Sequence, residues 1–288
     1  MLDFSAFTQP FMLHTWISGT MVAVISSFIG FFIVIRGSAF VGHALPEAGF
    51  AGGAGAVLLH ADPFYGLVMF TVGGAFLMGT LGKKEHNDVI TALTLITGLG
   101  IGALFLGLSN QYASGAYALL FGQIVGVSSG QIAGTAIVGL ICILGLAVLY
   151  RPLLLMTISK EVAEARGIPV KILEICLLLI VALASAVIVP MVGALLCFSL
   201  LIVPNAASVH LTRHPAATLR LSLVFSLVDI WAAILLAYTT GWPIGFFVCI
   251  IGAIFYCFAR MSQHIFKKRV HLMETHQKEK NTLENFHV

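Results

Sequence analysis

Of 288 residues, 59% are hydrophobic and only 9% charged, with a net charge of +3 from 15 Lys and Arg against 12 Asp and Glu. Soluble domains carry roughly a quarter charged residues, so a water-soluble core is excluded. The small positive excess forms no basic patch with interleaved aromatics, which gives no ground for nucleic-acid binding.

The apolar stretches have the length a helix needs to cross about 30 Å of hydrocarbon. They are apolar all round rather than at period two, which favours helices over barrel strands. The segment MLDFSAFTQPF has no basic flank and precedes a run too long for a cleavable signal core, so it opens a retained first span. Spans are predicted over 14–35, 44–60, 64–82, 89–108, 131–150, 172–189, 193–211, 217–239 and 243–260. The fold class is all-α, a polytopic helical membrane protein of about nine spans.

Basic residues gather at Arg36, at Lys83 and Lys84, from Arg151 to Lys171, at Arg213 and Arg220, and from Arg260 to Arg269. These breaks alternate with nearly uncharged ones from His60 to Pro63, Ser109 to Gly115, Pro190 to Val192 and Thr239 to Pro243. If the basic breaks face the cytoplasm, the N-terminus lies outside the plasma membrane and the C-terminus inside. The stretch from Ala116 to Val127 is too short to span, and counting it would move the Arg151 to Lys171 break outside. It is predicted as a re-entrant or interfacial helix.

Glycines spaced by four, such as Gly49 and Gly53 or Gly98 and Gly102, predict close helix packing. All five cysteines (Cys142, Cys176, Cys197, Cys249 and Cys257) fall in apolar runs without CxxC spacing, and they read as small core residues. Residues 1–260 form the transmembrane domain, and 261–288 a hydrophilic cytoplasmic tail.

The longest internal hydrophilic stretch, TISKEVAEARGIPVKILE from Thr157 to Glu174, carries helix punctuation. Ser159 suits an N-cap, Glu161 and Glu164 suit the first turns, and Gly167 supplies a stop before Ile168 and Pro169. A short helix between two spans is a handle for a cytoplasmic motor; a solvated connector accounts for the same residues.

The run from Met156 to Ser208 resembles the signature region of the zinc, manganese and iron class of ABC-transporter permeases. In that family a helix of the type S-x-E-x-A-x-x-x-G precedes a V-G-x-L-L...L-L-I-x-P-A-A element. Ser159, Glu161, Ala163 and Gly167 match the first, and Val192, Gly193, Leu195, Leu196, Leu200, Leu201, Ile202, Pro204, Ala206 and Ala207 the second, with Asn205 extra. Upstream, FIGFFIVIRGSAFVGHALPEAGFAGGAGAVLL is similar to the family's first loop and second span.

The resemblance implies a permease for a divalent metal ion (zinc, manganese or iron), a homodimer or a pair with a related permease. It implies two cytoplasmic ABC ATPase subunits gripping a coupling helix over 159–167, and an extracytoplasmic solute-binding protein that delivers the ion. The absence of a Walker A motif agrees with a transport subunit that is not itself an enzyme and holds no cofactor.

Ionisable residues inside spans are expensive, which makes each a functional candidate. His43 and Glu47 are four apart at the start of the second span, a spacing that puts both on one helix face. Imidazole with carboxylate suits borderline and harder divalent ions. Family members commonly carry Asp and His at these positions, so this chain holds one acid and one imidazole in reversed order. An interfacial His and Glu held by backbone or water is the competing reading.

Asp229, near the middle of the eighth span, is a weaker candidate for the metal path. His60 and Asp62 sit at the predicted outer mouth, and His210 reads as a loop histidine. The tail histidines His264, His271, His276 and His287 lack ligand spacing.

Gly126-Val-Ser-Ser-Gly130 fits a nucleophile-elbow pattern, but without a strand-to-helix turn and partners it reads as a membrane break. The stronger alternative to an ATP-driven importer is an ATP-independent metal channel or ion-coupled secondary carrier, which needs no docking helix.

Overall fold

The computed structural model describes residues 10–82, 87–109, 120, 122, 127–212 and 214–285, with side chains for all of these except Pro10, Asn87 and 266–285. The chain order is α1 (Pro10–Ile35), α2 (Ala39–Leu58), α3 (Pro63–Leu81), α4 (Asn87–Leu108), α5 (Ser129–Ile158), α6 (Lys160–Ala165), α7 (Val170–Val192), α8 (Ala194–Leu211), α9 (Pro215–Thr240) and α10 (Ile244–Asn285). The described residues contain no strand.

Helix ends follow local chemistry. The Asp62 side chain accepts a hydrogen bond from the Phe64 backbone N–H, and Pro63 occupies the first turn of α3, where its missing N–H costs nothing. α5 opens on a capping box: Ser128 Oγ accepts from Gln131 N while Gln131 Oε1 accepts from Ser128 N. α7 breaks from α8 at Gly193, whose φ of 84° and ψ of 160° only glycine adopts without strain.

Eight of these helices (α1, α3, α4, α5, α7, α8, α9 and the Ile244–Ile265 part of α10) are long and apolar enough to cross a membrane. α2 coincides with the expected second span and is as long as a crossing helix, but its Gly, His, Pro and Glu content keeps it out of that group. It is instead the most enclosed helix, buried at every position from Ala44 to Ala56, and it packs against α1, α3, α4, α7 and α8.

Glycine permits this enclosure. A Cβ on Gly52 would stand 1.9 Å from the carbonyl oxygen of Gly66, and one on Gly66 would stand 2.1 Å from that of Gly52, so α2 and α3 touch backbone to backbone. Gly98 and Gly102 of α4 lie against Ala48 and Phe50, the packing expected from their spacing.

The core is formed chiefly by α1, α2, α7 and α8, with Ile29, Phe31, Leu45, Ile188 and Leu200 fully buried. The outer helices turn large apolar side chains outward, as Val148 (80% exposed) and Ile137 (61%) do, the arrangement a lipid solvent favours. Only Cys142 and Cys197 are buried; Cys249 and Cys257 lie exposed on α10, a correction to their reading as core residues. In lipid, an apolar run does not distinguish an inward from an outward face.

α5 extends beyond the expected 131–150 to Ile158, through Arg151 and Pro152, and the α10 helix continues to Asn285. Of the expected re-entrant helix only Leu120, Gly122 and Val127 are described, and Gly122 abuts the Val192–Gly193 break. Lys83, Lys84, Arg213 and the side chains of His271, His276 and His287 lie outside the described residues.

Candidate functional site

α2 rises from a tight elbow. Gly37 N donates to the Val34 carbonyl and Ser38 N to the Ile33 carbonyl, both at 3.0 Å, so the chain reverses within three residues of α1. His43 follows in the second turn of α2 and Glu47 one turn later on the same face.

The His43 ring lies 4.8 Å from the Phe198 ring of α8, centroid to centroid, and Nδ1 is buried without a hydrogen-bond partner. Glu47 is 3% exposed, and its Oε2 is likewise unpartnered. Between the two, Pro46 has no N–H, so the Gly42 carbonyl loses its i+4 donor. One short stretch of α2 thus presents an imidazole nitrogen, a carboxylate oxygen and a freed carbonyl.

Glu47 also comes within electrostatic range of Cys197 on α8, which stands beside Ser185 of α7. Both are fully buried. Neither residue stands out in sequence, because Ser and Cys are ordinary occupants of packed membrane helices and only the fold brings them to the pair. Among the described residues no three His, Cys, Asp or Glu side chains come together as a cation cage. The arrangement is a pair of strong donors with weaker neighbours.

Asp229 does not join it. It is fully buried on α9 with both carboxylate oxygens unpartnered, and it faces Gly252 of α10, where an added Cβ would lie 3.3 Å from Oδ2. Asn205, which sequence reading took only as an insertion, is fully buried: its Nδ2 donates to the Leu201 carbonyl at 2.9 Å and its Oδ1 accepts from Ser222 Oγ at 2.5 Å. Gly30 of α1 makes room for it, since a Cβ there would meet Asn205 Nδ2 at 2.4 Å.

His210 lies in the last turn of α8 and not in a loop; its Nδ1 is 2.8 Å from Gln263 Oε1, and its ring packs on Tyr256.

At the bundle end where α2 begins, α6 forms where the punctuation placed it. Ser159 Oγ accepts from Val162 N, Ala163 is buried, and Gly167 takes a φ of 73° after the last turn. Glu174 Oε1 accepts from Lys160 Nζ at 2.8 Å and from Arg36 Nη2 at 3.1 Å. Burial pulls the Arg36 guanidinium below its ordinary value, and the charge and hydrogen bond of Glu174 oppose that pull. Beside this cluster is a cavity of about 490 Å³ lined by Arg36, Ser38, Asp88, Ser159, Lys160, Glu161 and Glu174.

At the opposite end, a cavity of about 580 Å³ is lined by Asp62, Tyr65, Ser128, Gln131, Thr135 and Met191, among others. His60 lies near it in a left-handed turn with a φ of 54°. Ser128, the serine of the elbow-like pattern, is engaged in the capping box. Ser128→Ala is therefore expected to cost about 1 kcal/mol of stability at the start of α5, as thermal unfolding would show.

The sequence profile of the ABC 3 transport family matches residues 8–263. The manganese transport system membrane protein MntC of Halalkalibacterium halodurans is 31% identical over 218 residues, covering 74% of each chain. The high-affinity zinc uptake system membrane protein ZnuB of Haemophilus influenzae is 26% identical over 223 residues, 77% of this chain and 85% of that relative. Among solved structures, PsaBC from Streptococcus pneumoniae in complex with Fab superposes with a TM-score of 0.79 at 22% identity, covering 89% of this chain and 94% of that one.

Proposed function

This chain belongs to the ABC 3 transport family, and from that premise we propose that it is the membrane-spanning permease of an ATP-driven importer for a divalent metal ion. Manganese and zinc are the ions for which its relatives are named. The observation that carries this reading is that the family match runs over residues 8–263, from before α1 to within two residues of the end of the apolar part of α10, with the capped helix α6 inside it.

In this reading the chain lies in the plasma membrane with its N-terminus outside, so that α6 faces the cytoplasm. Two copies, or this chain and a related permease, stand on two ABC ATPases that grip α6 around Ser159, Glu161, Ala163 and Gly167. A solute-binding protein releases the ion over the 580 Å³ cavity at the outer end. Closure of the ATPases rocks the bundle between outward and inward access, and the ion passes His43 and Glu47 on its way in.

Two strong donors with weaker neighbours suit such a transit point, because a closed four-ligand cage of the kind used structurally for zinc would hold its ion too long. Channels and gradient-driven carriers have no use for α6, which favours the ATP-driven mechanism.

The test is to purify the chain with its ATPase from native membranes and assay the complex in vesicles. ATP-dependent, vanadate-sensitive uptake of Mn²⁺ or Zn²⁺ is expected, and Gly167→Val, which forces a β-branched residue into a left-handed turn, is expected to cut ATPase recovery severely. Uptake without ATP would favour a channel or secondary carrier. Labelling of residues near Arg166 only from outside the cell would reject the topology.

A further inference from the structure

Resting on the permease reading above, we propose that Glu174 is a positioning residue that ties α6 to the helix bearing His43 and Glu47, so that displacement of α6 is delivered to the ion pair. One carboxylate oxygen joins three parts of the fold. Glu174 Oε1, in the second turn of α7, accepts from Lys160, the first residue of α6, at 2.8 Å, and from Arg36, in the elbow between α1 and α2, at 3.1 Å. Arg36 also reaches back to Met156 Sδ of α5 through Nη1, at 4.0 Å.

The elbow is stiff enough to carry a displacement. Ser38 N donates to the Ile33 carbonyl and Val41 N to the Ser38 carbonyl, each at 3.0 Å, so Arg36 is held by hydrogen-bonded backbone on both sides. From Ala39 the helix rises about 1.5 Å per residue, which puts His43 about 6 Å and Glu47 about 12 Å along the same rod. α6 packs on α5 and α7, and the 490 Å³ cavity beside Ser159 and Glu161 leaves it room to shift.

The side chains of the ionic cluster are 11% (Arg36), 26% (Glu174) and 35% (Lys160) exposed, so the Lys160 arm is partly open to water and contributes little to folding, whereas the Arg36–Glu174 arm is largely enclosed and holds the elbow against α7. Their value lies in direction: they fix which way the elbow moves when α6 moves.

The experiment uses the complete complex with its ATPase in proteoliposomes and reads Mn²⁺ transported per ATP hydrolysed. Glu174→Gln, which keeps the shape and an acceptor oxygen, is expected to lower that ratio about tenfold with ATPase recovery and basal hydrolysis intact. Arg36→Gln should do the same, the double variant should be no worse than either single one, and Glu174→Asp should restore most of the ratio.

A normal ratio in Glu174→Gln, additive losses in the double variant, or a loss that merely tracks lost complex would overturn the proposal. If the unmodified complex shows no ATP-driven uptake, the permease reading itself fails and this proposal with it. If the unmodified complex transports and Glu174→Gln transports equally well, only the tie through Glu174 is rejected.

Discussion

Alanine at both His43 and Glu47 is expected to lower metal uptake by about a hundredfold or more while the folded protein and its association with the ATPase survive. Both side chains carry buried polar atoms without hydrogen-bond partners, and such atoms oppose folding because they have lost water and gained nothing. Their removal from α2 leaves an apolar helix face against Phe198 and the other α8 and α7 neighbours, so thermal stability should hold or rise. Loss of uptake together with unchanged or raised stability is the signature of a side-chain pair kept for its ligand chemistry. Normal uptake by a well-expressed double variant would remove the pair from the transport path.

The opposite signature is expected of Gly52→Val. Any Cβ at Gly52 overlaps the Gly66 carbonyl oxygen, which belongs to backbone and cannot rotate away. α2 and α3 must separate by more than an ångström at their crossing, and overpacking of this kind costs upwards of about 1–3 kcal/mol. Because α2 also packs on α4, α7 and α8, its displacement disturbs the whole inner bundle. Folded yield in detergent should fall severely, and uptake with it. Gly100→Ala is the paired control: this α4 glycine is exposed, with nothing within 4 Å of an added Cβ, and alanine there should be neutral or slightly stabilising. Comparable yields for the two variants would show that the α2–α3 contact is not critical.

Hydropathy located most spans within a few residues, since a helix buried in hydrocarbon has little choice of composition. It ended two of them early. α5 runs on to Ile158 because Arg151 and Pro152 close an apolar run without breaking the helix, and the α10 helix runs past Arg260 for the same reason. α2 was legible from its position and its glycines, although its start five residues earlier places His43 inside the helix and not at its edge.

The short helix α6 was readable in detail, because Ser159 and Gly167 act through local backbone geometry. Long-range partners were not. Nothing near Glu174 in the chain points to Arg36, 138 residues away, or near Asn205 to Gly30 and Ser222. The pair on α2 was visible through helical spacing, whereas Cys197 and Ser185 reach it only through the packing of α7 and α8. Asp229 shows the limit of the argument from cost alone: a buried acid marks something unusual, but its place opposite Gly252 separates it from the pair.

The complete enclosure of α2 bears on how the protein is made. A segment this rich in glycine, with an imidazole, a proline and a carboxylate in its first half, partitions poorly into lipid by itself. Such a segment has little tendency to enter lipid alone, and its enclosure depends on the more apolar helices packed around it. Assembly of the inner bundle around α2 is therefore cooperative, completed only after α7 and α8, more than a hundred residues downstream, have emerged to close around it.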